Sequence, residues 1–245
     1  MIRAILFDFG GTLDSDGIHW SEKFFDLYQK VGVGVDKVTY EKAYVAGEKR
    51  MARHPVAPSD SLHSTLRQQV TFQFEYLVQN GAISSGVAAS LASRIAEEAY
   101  ADVKQSIARV KPMLSTLSKT YQLGLVSNFA GNLVTVAREL EIESLFQVII
   151  DSAVVGVSKP DLQIFALAIK QLKIQGGEAV MVGDSYDRDI EPAKALDIRT
   201  VFLHSRSWKE PESTAKADYT IKSILELPQA LKTLSSRSSE TARRR

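Results

Sequence analysis

No cysteine occurs among the 245 residues, which excludes a disulfide framework, a thiolate-bound zinc or iron–sulfur centre and a cysteine nucleophile. Histidine is scarce. His19, His54, His63 and His204 are scattered and form no HExxH pair, so a helical zinc-hydrolase site is excluded as well. No apolar run approaches the roughly 20 residues that a membrane helix needs. The opening run from Ile2 stops at Asp8 and is too short for the apolar region of a signal peptide. An excess of one charge is also missing: 30 Lys+Arg against 29 Asp+Glu leave a formal net charge of +1, with no broad basic surface for nucleic acid. These absences predict a cytoplasmic protein that binds neither membrane nor nucleic acid. A monomer or homodimer is expected. What remains for chemistry is carboxylate, hydroxyl, lysine and arginine.

What is present falls into three textures. Ile2 to Phe7 is an apolar, β-prone run ending at Asp8-Phe9-Gly10-Gly11-Thr12, where adjacent glycines mark a turn. From about Ile18 to Lys104 apolar residues recur at spacings of three and four, as in Trp20, Phe24, Leu27 and Tyr28 or Val87, Leu91, Ile95 and Ala99. That stretch predicts a small module of about four helices. From about Arg109 strands and helices alternate, with strands over Leu123–Val126, Val148–Ile150, Val180–Val182 and Thr200–Leu203 and an edge strand over Tyr219–Ile221. The helices expected between and after them are Met113–Lys119, Leu133–Leu140, Leu162–Leu172, Ile190–Leu196 and Ile224–Leu234. The fold class is therefore α/β: a doubly wound parallel sheet whose first strand precedes an inserted all-helical domain. The expected division is a core of residues 1–16 and 105–234, a helical cap of residues 17–104, and a disordered tail over 235–245.

In an open parallel sheet ligands bind outside the carboxyl ends of the strands, at the switch point of strand order. The first strand ends at Asp8, the second at Ser127-Asn128 and the fourth at Gly183-Asp184-Ser185, while Lys159 lies in the loop after the third. Each alone has a plain reading as a turn or a helix cap. Together they bring two carboxylates, a hydroxyl and a lysine to one crevice. The set suits phosphoryl transfer: carboxylates bind a hard divalent ion such as Mg²⁺, or one of them attacks phosphorus. The transferring oxygens then need donors, which Thr12, Ser127, Lys159 and the backbone of the glycine turn can supply.

Asp8-Phe9-Gly10-Gly11-Thr12-Leu13, Val126-Ser127-Asn128, Ser158-Lys159-Pro160-Asp161 and Gly183-Asp184-Ser185-Tyr186-Asp187-Arg188-Asp189-Ile190 resemble, in order, the four motifs of the haloacid dehalogenase superfamily. The helical insert after the first motif is similar to the C1 cap of that family's phosphatase and dehalogenase branches. The resemblance implies a Rossmann-like core and a Mg²⁺-dependent phosphatase acting on a small phosphorylated metabolite through an aspartyl-phosphate. It implies Asp8 as nucleophile, with Thr12, Ser127 and Lys159 holding the transferred group and Gly11 and Asn128 beside it. It also implies Asp8, the Gly10 carbonyl, Asp184 and Asp189 around the metal. Asp187 is expected to face solvent or to cap.

The sequence departs from the family pattern at Gly10, where the phosphatases usually carry an Asp that protonates the leaving group and then activates water. A carbonyl ligand survives the substitution; the proton donor does not. General acid–base assistance is worth about 10²–10⁴-fold, so three readings stay open. The protein can be a phosphatase whose leaving group needs little protonation, such as an anomeric, acyl or aryl phosphate, or whose proton comes from His19, Asp14, Asp16 or water. It can act on a carbon–halogen or phosphonate bond. It can bind metal and phosphate with little turnover, in a binding or regulatory role. His19 and Trp20, next to the entry strand, are the cap residues expected to touch substrate.

Overall fold

The computed structural model describes residues 1–208 and 216–243, with the backbone alone for 237–243. Among these residues six strands form one parallel sheet: β1 (Ala4–Phe7), β2 (Gln122–Ser127), β3 (Val148–Asp151), β4 (Ala179–Gly183), β5 (Arg199–Leu203) and β6 (Tyr219–Ile221). Their order is β3-β2-β1-β4-β5-β6. All neighbouring pairs are parallel, with Phe7 opposite both Leu125 and Val182. Apolar residues point to both faces, as a sheet covered on both sides requires. Ile5, Phe7, Leu123, Leu125, Val180 and Val182 enter one buried cluster, whereas Ala4, Leu6, Val126, Ile150 and Met181 enter the other.

The expected strands are present, most of them longer by a residue at one or both ends. The helical insert also has the expected form: α1 (Trp20–Val31), α2 (Lys37–Arg53), α3 (Leu62–Gln79) and α4 (Ser85–Leu117). Asp36 and Ser61 cap α2 and α3 by accepting from the third residue onward, and His19 caps α1 through Nδ1 and the Ser21 N–H.

The separate helix expected over Met113–Lys119 does not exist. It is the end of α4, a 33-residue helix that passes through Pro112 and carries the insert back into the core. Pro112, just before the expected start at Met113, lacks the N–H for the ladder. Burial of Ile107, Val110, Leu114 and Leu117 along one face nevertheless holds the helix together across it. The same helix spans residues 104 and 105, where the sequence suggested a domain boundary.

The core continues with α5 (Leu133–Glu139), α6 (Ser152–Val155) and α7 (Leu162–Leu172). The helix expected over Ile190–Leu196 is present in shorter form as α8 (Glu191–Lys194), preceded by a wide turn over Tyr186–Ile190. The one expected over Ile224–Leu234 begins as a tight turn, Ile224–Glu226, and proceeds as α9 (Leu227–Arg243). The backbone of α9 thus enters the stretch expected as a tail, whose last two residues, 244–245, lie outside the described ones.

The insert is fastened to the core on two sides. Arg206, just after β5, pairs with Asp26 and Glu22 of α1, and Trp208 meets Tyr44 of α2 edge-on. Opposite, the α2–α3 loop is held by Asn132 Nδ2 on the Asp60 carbonyl (2.8 Å) and Thr135 Oγ1 on the Pro58 carbonyl (2.6 Å).

Candidate active site

The strand order reverses at β1, so β1, β2 and β4 lie side by side with their carboxyl ends at one crevice. Asp8 leaves β1 with its N–H on the Val182 carbonyl, Ser127 ends β2, and Asp184 follows Gly183 at the end of β4. All three are buried, as are Thr12, Lys159 and Asp189. Oδ1 of Asp8 accepts from Ser127 Oγ at 2.9 Å and from Lys159 Nζ at 2.6 Å. The same ammonium donates to Asp189 Oδ1 at 2.7 Å, and Thr12 Oγ1 donates to Asp184 Oδ1 at 3.3 Å. The residues expected to meet at the strand ends are therefore in mutual contact.

Two glycines make that packing possible. Gly11 has φ +87, and a Cβ there would lie 2.4 Å from Asp184 Oδ2. A Cβ on Gly183 would lie 2.3 Å from Asp189 Oδ2. The need for Gly183 was not read from the sequence, where it looked only like part of a turn.

Other expected residues reach the site indirectly. The Asn128 side chain is engaged by the backbone of Lys159: its Nδ2 donates to the Lys159 carbonyl at 2.9 Å and its Oδ1 accepts from the Lys159 N–H at 2.8 Å. It fixes the lysine loop. The Gly11 N–H, expected among the phosphate donors, instead donates to Asp14 Oδ1 at 2.8 Å. Asp187 is exposed, as expected. Of the three side chains considered as proton sources, His19 caps α1. Asp16 accepts from Ser223 Oγ (3.0 Å) and the Ile224 N–H (2.7 Å), at the approach to α9. Asp14 alone stays beside the glycine turn, buried, with Oδ2 accepting from Trp20 Nε1 at 2.7 Å. A further strand-end acid, Asp151, is structural: it accepts from the N–H groups of Gly131, Leu133 and Ala153.

Three carboxylates around one ammonium leave the cluster anionic. Burial, with the charges of Asp8 and Asp189, pushes the Asp184 carboxyl well above its ordinary range. Burial also pushes Asp189 up to about 6, with Asp8 adding to the shift and Lys159 opposing it. For Lys159, burial acts downward but Asp189 and Asp8 outweigh it, so the ammonium is held charged. Ligand oxygens of Asp8, Asp184 and Asp189 lie within 4.8 Å of one another. An all-oxygen, anionic donor set of this kind fits a hard divalent cation, whose charge would relieve the repulsion that raises Asp184.

The family model of haloacid dehalogenase-like hydrolases matches residues 2–197. The chain belongs to that family. Glyceraldehyde 3-phosphate phosphatase of Methanocaldococcus jannaschii is 33% identical over 141 residues, covering 55% of this chain and 62% of that protein. Human N-acylneuraminate-9-phosphatase is 26% identical over 249 residues, covering 95% of each. Several curated relatives are matched over only about half of their length, with 52% and 50% covered in two of them. The fold is shared with the magnesium-bound HAD-hydrolase YfnB of Bacillus subtilis, at TM-score 0.60, 16% identity and coverage of 94% of this chain and 98% of that one. Within this haloacid dehalogenase-like hydrolase, no helix among the described residues is long and apolar enough to cross a membrane.

Proposed function

We propose that the protein is a Mg²⁺-dependent phosphatase of small phosphorylated metabolites that works through an aspartyl-phosphate on Asp8. The observation that carries this reading is the asymmetric treatment of the Asp8 carboxylate. Both Ser127 and Lys159 donate to Oδ1. Among the described residues nothing donates to Oδ2, which leaves that oxygen to attack. Bond formation from Oδ2 to phosphorus, with departure of the leaving-group oxygen, moves the phosphoryl group onto the protein. Water then attacks phosphorus, and the Asp8 carboxylate is released along with inorganic phosphate.

The donors around Asp8 are those a transferring phosphoryl group needs. Lys159 Nζ offers a fixed charge, and the hydroxyls of Ser127, at the end of β2, and Thr12, in the turn after Asp8, offer neutral donors. Asp8, Asp184, Asp189 and the Gly10 carbonyl would hold the metal ion, which supplies charge neutralisation for phosphate approaching a carboxylate. Asn128 contributes by fixing the loop that carries Lys159. The phosphatase names of the relatives support the same reaction class, and the cytoplasmic setting expected from the sequence agrees with a metabolite substrate. Donors gathered for phosphate favour this reading over attack at carbon.

The test is a panel of phosphomonoesters run with Mg²⁺ and with EDTA. Metal-dependent phosphate release from at least one ester is expected. No release from any ester, with Mg²⁺ still binding, would transfer the protein to the non-catalytic reading.

A further inference from the structure

Gly10 is covered. An ideal Cβ at this position would lie 3.6 Å from Cδ1 and 3.7 Å from Nε1 of Trp20, so a side chain here would begin in contact with the indole. Trp20 is the first residue of α1, and its ring is half-buried and packed on Phe24 with centroids 4.9 Å apart. Its N–H is fixed by Oδ2 of Asp14, whose Oδ1 holds the Gly11 N–H. Asp14 thereby ties the turn after the nucleophile to the first cap helix. The absent acid and the tryptophan are neighbours: a Cβ at position 10 would rest in van der Waals contact with Cδ1 and Nε1 of the indole.

We propose that Trp20 is the leaving-group-facing wall of this site and that, with Gly10, it selects phosphates whose leaving group is flat and acidic, of the aryl or acyl class. The inference rests on the phosphatase reading and deepens it. The phosphoryl donors Thr12, Ser127 and Lys159 all belong to the core, so the rest of a substrate must extend away from them. Gly10 lies two residues from Asp8, and the side chain against it is that of Trp20, the first residue of the first cap helix. An indole is a stacking surface for planar groups. Its N–H is engaged by Asp14, so it offers no proton to a departing alkoxide. An alkyl ester, whose oxygen needs protonation as the bond breaks, gains nothing from this wall. A phenolate or carboxylate leaves without that help. Asp14 is the positioning residue.

The arrangement makes a non-additive prediction. In Gly10→Asp alone the new side chain begins against the indole, and its gain in kcat/KM for propyl phosphate should be smaller than that of the double variant. In Gly10→Asp/Trp20→Ala the carboxylate has room, and kcat/KM for propyl phosphate should rise about tenfold or more, within the range of general acid–base assistance. Trp20→Ala alone should lower the preference for phenyl over propyl phosphate. Gly10→Asp gaining as much as the double variant, or an unchanged preference in Trp20→Ala, would overturn the proposal.

A readout without turnover separates this inference from the phosphatase reading. Trp20 and Trp208 are the two tryptophans, so Trp208→Phe leaves Trp20 as sole reporter. Phenylphosphonate should change its emission saturably, and ethylphosphonate much less. Emission that stays constant overturns the role of Trp20 even in an active phosphatase. A saturable change in a protein that hydrolyses no phosphate upholds the wall and sinks the reaction.

Discussion

Lys159 Nζ stands 2.6 Å from Asp8 Oδ1 and serves Asp189 Oδ1 at 2.7 Å, so one buried cation joins two carboxylates from different loops. Replacing it by Met leaves both acids buried without their counter-charge. Breaking a buried pair on one side costs about 3–5 kcal/mol, and that loss should be seen in chemical denaturation in EDTA. Phosphate release by Lys159→Met should fall at least about 10²-fold, as for loss of a fixed transition-state donor. Stability equal to wild type would mean that the carboxylates do not depend on the lysine.

Gly11 packs against Asp184, joining the first and fourth motifs. At φ +87 with a Cβ 2.4 Å from Asp184 Oδ2, an alanine is both strained and overlapping. Mg²⁺ should raise the melting temperature of the wild type, and Gly11→Ala, by displacing Asp184, should abolish that rise. A retained Mg²⁺ shift would show that Asp184 can move without loss of the site.

Asp14 gives the molecule a pH signature. Burial raises its carboxyl from 3.8 to about 6, against the hydrogen bonds from Trp20, Gly11 and Ser15 and the charge of Lys23. Between those values the native state binds more protons than the unfolded chain, so this group's contribution to stability falls as pH rises through that window. The full difference is about 3 kcal/mol at 1.4 kcal/mol per unit. Asp184 and Asp189, also raised, act in the same direction. In EDTA, Asp14→Asn should therefore flatten the decline in unfolding free energy between pH 4 and about 6 without removing it. An undiminished slope would place the Asp14 titration elsewhere.

Asp16, equally near in sequence, should behave in the opposite way. Its carboxylate holds Ser223 and Ile224. Asp16→Ala should lower stability by about 1–3 kcal/mol through the abandoned donors, while kcat and its pH profile stay as in wild type. A kcat that falls with stability unchanged would make Asp16 part of the chemistry.

Sequence periodicity was sufficient for most of the architecture because the inner strands are apolar runs buried on both faces and the cap helices repeat at three and four residues. It failed at Pro112, where local propensity predicts a break and the buried face of α4 overrides it. It gave no signal for the wide turn over Tyr186–Ile190, which precedes the expected helix and sets Asp189 against Gly183. The site itself was legible as a set of residues at strand ends. Its hydrogen-bond assignments were not: that Asn128 grips the Lys159 backbone, and that Asp14 holds both Gly11 and Trp20, are contacts between loops for which no spacing along the chain gives a signal.

The proposed role of Asp8 is that of nucleophile in a metal-dependent phosphatase. The most direct measurement compares phosphate release from phenyl phosphate by wild type and Asp8→Asn, each with Mg²⁺ and with EDTA. Release by wild type with Mg²⁺ alone, and by Asp8→Asn under neither condition, is the expected result. Release by Asp8→Asn at the wild-type rate would contradict it.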